Sequence, residues 1–245
     1  MKKNYKLLIS YDGSRYYGWE HQPDTDTIQG RLETAIMAFY DEFPEINGAG
    51  RTDAGVHARG MVANVFLDVP YEPNDLKRLI NDNLPDDIAV LDVRVASDRF
   101  HARYSAVGKT YCYRCHYGEY KAVFDRKYVV ELDRKPSLDK MRQAAAILAG
   151  KNDYASFCKQ AGSYASTVRV VDKIDIEEEN GYYTFTFHGT GFMRNMVRIM
   201  VGTLLEVGYE KIEVEEIAGI IDGKNRELAG CTADARGLCL MKVDY

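Results

Sequence analysis

The chain has 245 residues, 32 Lys and Arg against 37 Asp and Glu for a net charge of −5, and a 46% apolar content. That content supports a sizeable core in one large domain or two modest ones, which excludes a disordered or fibrous chain. No run of about 18 apolar residues is present, which excludes a membrane-spanning helix, and Met1–Lys6 leads straight into a strand pattern without an apolar leader. A cytoplasmic protein with no membrane partner is expected.

Tyr5–Tyr11 (YKLLISY) reads as a strand closed by the turn signal Asp12-Gly13-Ser14. A polar, aromatic loop, Arg15–Pro23, holds the only Trp. Ile28, Leu32, Ala35, Ile36 and Phe39 then recur at helical spacing, with Asp26 or Thr27 as N-cap and Pro44 beyond the end, which leaves Gln29 and Arg31 for other work.

Asn47–Gly60 (NGAGRTDAGVHARG) reads as a loop before a strand at Met61–Val69 whose two faces alternate. Its glycines suit positive φ or close backbone approach, so the loop is shaped to hold a ligand. Asp53 is its only acid, and Arg51 nearby is a planar fork of donors suited to phosphate or carboxylate. Taken alone, Thr-Asp-Ala-Gly is equally well a turn whose aspartate serves its own backbone.

Pro73-Asn74 opens a helix that Pro85 closes, and Ile88–Val95 is a strand. The polar stretch Ser97–Arg103 leads to a strand over Tyr104–Tyr117 with Tyr111, Tyr113 and Cys115 on one face. Five scattered cysteines do not form a disulfide framework. Cys112 and Cys115 sit on opposite strand faces and lack a second ligand pair, so no metal is expected.

A short strand at Val129–Leu132, a helix capped by Pro136-Ser137, a loop over Lys151–Ser166 and a hairpin turning at Asn180-Gly181 follow. A helix over Phe192–Val207 would place Arg194 and Arg198 on one face; a helix near Val214–Ile221 and a strand at Leu238–Val243 finish the chain. Strands and helices mix in similar order in both halves, which suggests a duplicated α+β unit: residues 1–103 carrying the aspartate loop and residues 104–245 completing the site.

Several motifs occur in order: Ile9–Gly13 with Tyr17-Gly18-Trp19; Thr27–Gly30; Gly48–Ala58 (GAGRTDAGVHA); Arg99–Arg103 (RFHAR); Lys109–Tyr113 (KTYCY); Asn152–Phe157; and Gly191–Arg198. Over essentially its full length the chain resembles the tRNA pseudouridine synthase A family. The resemblance implies an α+β fold of two ferredoxin-like halves forming a pseudo-duplicated antiparallel sheet with a central cleft. It implies a homodimer that isomerises uridine to pseudouridine in the anticodon arm of tRNA, at tRNA positions 38–40, with no cofactor. It makes Asp53 the catalytic aspartate, Tyr111 the tyrosine that stacks on the target base, Arg198 the arginine that pairs with the aspartate, and Arg51 the arginine that helps to hold the flipped RNA.

Arg15, Arg59, Arg99, Arg103, Lys109 and Arg194 are candidate phosphate contacts, each as readily a surface ion pair. His57 and His101 are read as packing or helper residues. A pI near 5.6 leaves another structured RNA open as target, and a non-catalytic RNA-binding protein is the rival reading.

Overall fold

The computed structural model describes residues 2–245, which contain ten β-strands and five α-helices. Two compact units are formed: one by residues up to Val107 together with Cys239–Tyr245, the other by Gly108–Leu238. The first unit runs β1 (Lys3–Tyr11), α1 (Ile28–Met37), β2 (Ile46–Gly48), β3 (His57–Leu67), α2 (Pro73–Asp82) and β4 (Ile88–Ala96).

The second contains β5 (Gly108–His116), β6 (Val130–Glu131), α3 (Leu138–Leu148), β7 (Gly150–Asp153), β8 (Val168–Glu179), β9 (Tyr182–Gly189), α4 (Met196–Gly208) and α5 (Glu216–Gly223). The last strand, β10 (Leu238–Asp244), returns to the first unit, whose strand order is β4-β1-β3-β10 with β2 also on β3. The sequence reading places residues 239–245 with the second half instead. Only pairing distant in sequence reveals their place: Cys239 and Leu240 run parallel beside His57 and Ala58. In the second unit the order is β5-β9-β8-β7, with β6 parallel to β5. All other pairings within the units are antiparallel.

Local chemistry explains most boundaries. Thr27 caps α1 by accepting the Gly30 N–H at 3.2 Å, and Ile28, Leu32, Ala35 and Ile36 bury one helix face. Gln29 and Arg31 are not left for other work: Gln29 donates to Glu33 at 2.8 Å, and Arg31 forms a bidentate pair with Asp26 at 2.6 Å. Pro73 stands in the first turn of α2, where its missing N–H costs nothing. Ser137 caps α3. At the β8–β9 turn Asn180 and Gly181 both take positive φ, +52° and +82°, the signature of a hairpin turn whose twist matches the strands.

Four segments depart from the periodicity. β2 lies within the expected loop, and β3 begins at His57 rather than Met61 and is buried at every position except Arg59 and Phe66, so its faces do not alternate. Short polar or glycine-containing strands are held by their neighbours rather than by propensity. β7 occupies the start of the expected Lys151–Ser166 loop, with Gly150 opposite Val171 and Asp153 opposite Val168. The strand expected from Tyr104 starts at Gly108, because Ser105 is drawn into a turn: its Oγ accepts the His101 N–H at 3.1 Å and its own N–H reaches the His101 carbonyl at 2.9 Å.

A buried amide pair fastens the Arg99–Arg103 segment to the first unit's sheet. Asn64 donates to Asn4 Oδ1 at 3.0 Å, Asn4 donates to the carbonyls of Ser97 and Phe100 at 2.8 and 2.9 Å, and Asn64 Oδ1 accepts the Ala102 N–H at 2.8 Å. Each amide is 1% exposed or less. From the C-terminus, Tyr245 donates its hydroxyl to the Ala102 carbonyl at 2.7 Å and packs its ring 5.0 Å from Phe100. Replacing Asn64 with Leu strands a buried acceptor on Asn4 and a buried N–H on Ala102, at roughly 1–3 kcal/mol each. Asn64→Leu is therefore expected to lower the unfolding free energy by about 2–4 kcal/mol in urea titrations. A change within experimental error would show that the network is dispensable.

Candidate active site

Asp53 sits in the eight-residue connection between β2 and β3, half-buried, between two fixed points. On its N-terminal side Thr52 is buried; its Oγ1 lies 2.8 Å from Tyr11 Oη, and its carbonyl accepts the Trp19 N–H at 3.1 Å. On its C-terminal side Asp53-Ala54-Gly55-Val56 closes a turn, Val56 N–H to Asp53 carbonyl at 3.1 Å, with Gly55 at φ +79°. A type II turn demands positive φ at its third residue, which explains that glycine. Gly55 N–H also reaches the Tyr16 carbonyl at 3.3 Å.

The loop's floor is Gly48 under the Trp19 indole: a Cβ there would fall 2.5 Å from the indole nitrogen. Trp19 is 2% exposed and Tyr11 stacks beside it, with centroids 6.1 Å apart. His57 is buried, and its Nδ1 accepts the Gly13 N–H at 3.0 Å, which ties the Asp12–Ser14 turn to the start of β3. His101 Nδ1 similarly accepts the Arg103 N–H at 3.1 Å. Both histidines act as fasteners of loops.

Arg51 is mostly exposed and forms an ion pair with Glu20 at 2.5 Å. Arg15 pairs with Asp87 at 2.6 Å and also donates to Tyr16 Oη at 3.1 Å. Burial, followed by the hydrogen bond to Asp87, pushes the Tyr16 phenol up to about 12. Arg59 projects from β3 into solvent; it and Arg99 have exposed side chains with no ion-pair partner among the described residues. Arg103 is exposed, with its guanidinium 6.0 Å from the Tyr104 ring.

Tyr111, Lys109, Arg194 and Arg198 belong to the second unit. Tyr111 is buried on β5 opposite Phe187 of β9, and the Phe192 ring meets it edge-on, with centroids 5.2 Å apart at 81°. Lys109 is half-buried near the start of the same strand. Tyr111, Tyr113 and Cys115 share the buried face of β5, as alternation predicts.

Arg194 and Arg198 do not share a helix face. Asn195 takes the left-handed conformation at φ +61°, so α4 starts only at Met196 and Arg194 lies outside it. Arg194 is exposed, donating its N–H to Tyr164 Oη and its guanidinium to Gln160, both at 3.0 Å. Arg198 stands in the first turn of α4, where a cation opposes the helix dipole and an anion compensates. Its Nε donates to the Ala233 carbonyl at 2.8 Å while its own carbonyl accepts the Ala233 N–H at 3.1 Å.

Asp234, next along the chain, supplies negative charge near this arginine. Burial works to raise its carboxyl, but hydrogen bonds from Arg236 and the charges of Arg236 and Arg198 hold it below the usual 3.8. Tyr113 donates to the Asp234 carbonyl at 2.9 Å. Asp234, Phe192, Trp19 and Glu20 have no role in the sequence reading. Phe192 lies inside a motif and was findable there; Asp234 sits in a polar stretch without periodicity. No cluster of three or more His, Cys, Asp or Glu among the described residues is arranged to hold a metal ion, and no helix among them is long and apolar enough to cross a membrane.

A family model described as tRNA pseudouridine synthase matches residues 7–105 and 144–245. The chain belongs to the tRNA pseudouridine synthase family. Proteins named tRNA pseudouridine synthase A from Clostridium kluyveri and from Bacillus sp. strain KSM-64 are each 41% identical over 243 residues. These alignments cover 99% of this chain and 100% and 99% of the respective relatives. A tRNA pseudouridine synthase A 2 from Bacillus cereus strain ATCC 10987 is 40% identical, covering 99% of both chains. Asp53, Arg51 and Arg198 of this synthase lie in the matched stretches, whereas Lys109 and Tyr111 fall between them.

Because the Asp234 carboxyl titrates below its unfolded value, its contribution to stability is present above the unfolded value and fades as pH falls through the folded one. Asp234→Asn is therefore expected to be less stable than wild type at pH 7 and to lose that deficit progressively as pH falls below the usual carboxyl value of 3.8. Thermal unfolding of both proteins over that range checks the sign; a deficit independent of pH would refute it.

Proposed function

We propose that this tRNA pseudouridine synthase acts on uridines of the anticodon arm, with Asp53 as nucleophile, Arg198 as its ion partner, Tyr111 as the stacking platform for the target base and Arg51 as a contact to the flipped RNA. The enzyme works as a cytoplasmic homodimer and without a cofactor. The first unit's β-α-β-β-α-β order supports a ferredoxin-like half; the second half is read as its repeat. Arg15, Arg59, Arg99, Arg103, Lys109 and Arg194 are proposed to meet phosphates.

The observation that carries the reading is the mounting of Asp53. A surface turn needs no buried Thr on one side, with two bonds from another segment, and no glycine seated under an indole. A carboxylate that must meet a substrate atom within a fraction of an ångström does. The reaction breaks the C1′–N1 glycosidic bond, turns the uracil, joins C1′ to C5 and releases the C5 proton. A carboxylate divides that into smaller steps by attacking covalently or by acting as base at the sugar, while the enzyme retains the free base.

The target base must first leave its stack, at a cost of a few kcal/mol, and stacking on an aromatic ring returns roughly 1–3 kcal/mol. Phe192, nearly perpendicular to the Tyr111 ring, supports the plane that a base would meet.

Tritium at C5 of uridine in unmodified tRNA transcripts passes to water when C5 gives up its hydrogen on joining C1′, so its release reports turnover. Wild type is expected to release it, and Asp53→Ala to be slower by at least about 10³-fold, the loss typical of a nucleophile. Equal release by both proteins would overturn the assignment, and an absence of release from any tRNA would favour the non-catalytic reading. Tyr111→Phe keeps the ring, so RNA affinity is expected to persist, whereas Tyr111→Ala is expected to lose turnover. Wild-type rates in Tyr111→Ala would refute the stacking role.

A further inference from the structure

Arg51 is the guanidinium two residues from Asp53, and in the free enzyme it is occupied. Glu20 Oε1 lies 2.5 Å from its Nη2, with 44% of the Glu20 side chain and 66% of the Arg51 side chain exposed. Neither side chain has another partner among the described residues. Glu20 is also placed rather than adrift. Before it, Trp19 is tied by its N–H to Thr52 at 3.1 Å and by its carbonyl to the Gln29 N–H at 2.9 Å. After it, the His21 ring lies 2.5 Å from the buried Glu33 carboxylate, which also accepts from Gln29 at 2.8 Å. The same Thr52 therefore mounts Asp53 on one side and sets the backbone that carries Glu20 on the other.

We propose that Glu20 is a positioning residue for RNA binding. Its carboxylate stands in for a phosphate, holding the Arg51 guanidinium in place until the substrate backbone displaces it. The inference rests on the reading of Arg51 as an RNA contact. Carboxylate and phosphate both offer a guanidinium anionic oxygens, so the exchange replaces one charge-assisted contact by another. An exposed pair of this kind is worth little, which makes it displaceable by a polyanion rather than a permanent block. The cost falls only on RNAs that engage Arg51, and it weakens with salt, because salt screens the pair.

The test is a double-mutant cycle on the full chain, with an unmodified tRNA transcript as probe and Kd measured at several salt concentrations. Glu20→Gln keeps the side-chain shape and removes the charge. It is expected to tighten binding about two- to five-fold near 50 mM salt, an effect that fades toward 1 M, where the Debye length is about 3 Å. Arg51→Ala is expected to weaken binding and flatten the salt slope by about one. Glu20→Gln added to Arg51→Ala is expected to change nothing, because no guanidinium remains to be released.

Equal tightening by Glu20→Gln in both backgrounds would reduce Glu20 to general charge repulsion and overturn the proposal. So would no tightening in an enzyme whose Arg51→Ala variant binds weakly. Wild-type binding by Arg51→Ala would instead remove the reading of Arg51 on which the proposal stands, and Asp53 turnover would be unaffected by that failure.

Discussion

The Thr52 side chain and carbonyl are the fixed point of the first unit's site. Tyr11 at the end of β1 meets the hydroxyl, Trp19 meets the carbonyl, and Gly48 lets the indole lie flat against the strand that leads into the loop. Two bonds from the Tyr11–Trp19 stretch, distant in sequence, thus converge on the residue before Asp53. None of these contacts is large alone: a buried hydrogen bond contributes about 1 kcal/mol net. Their effect is positional. With Thr52 held and the Gly55 turn closing the other side, the Asp53 backbone has little freedom left to lose when a substrate binds.

The second unit's site is assembled by different means. Tyr111 is fixed by strand pairing and by the edge of Phe192, whereas Arg198 is fixed by reciprocal backbone and side-chain bonds to Ala233. A guanidinium at a helix start faces the positive end of the helix dipole, and a nearby anion offsets that repulsion. Asp234 provides one, and its carboxyl is held below the usual value by hydrogen bonds from Arg236 and then by the charges of Arg236 and Arg198.

The periodic parts of this architecture were legible in the sequence and the mounted parts were not. The α1 and α3 caps, the Pro73 start of α2, the Asn180-Gly181 hairpin and the buried face of β5 follow from local rules, and the structure places them where those rules put them. β2, β7 and the first residues of β3 were missed because polar and glycine-containing residues become strand only through partners distant in the chain. The apolar spacing from Phe192 onward extends the expected helix past its true start at Met196, because spacing alone does not show that Asn195 turns left-handed. Asp53 and Trp19 stand in motifs, yet Glu20 and Asp234 bear on the site by contact alone.

An acidic chain that belongs to an RNA-modifying family raises a question of charge that the net value does not answer. In the first unit Arg15, Arg31, Arg51, Arg78 and Arg94 are each matched to a carboxylate: Asp87, Asp26, Glu20, Asp75 and Asp92. The Arg31, Arg78 and Arg94 partners lie within five residues, while Glu20 and Asp87 come from other segments. The distinction matters physically. A pair within one short segment loses little by staying together, whereas a pair that bridges segments holds two loops in register and lets go when either moves. The net charge of −5 is thus compatible with a polyanionic substrate. Field strength depends on which carboxylates yield locally, and the acidic surplus elsewhere on the surface is screened beyond about 8–10 Å at physiological salt.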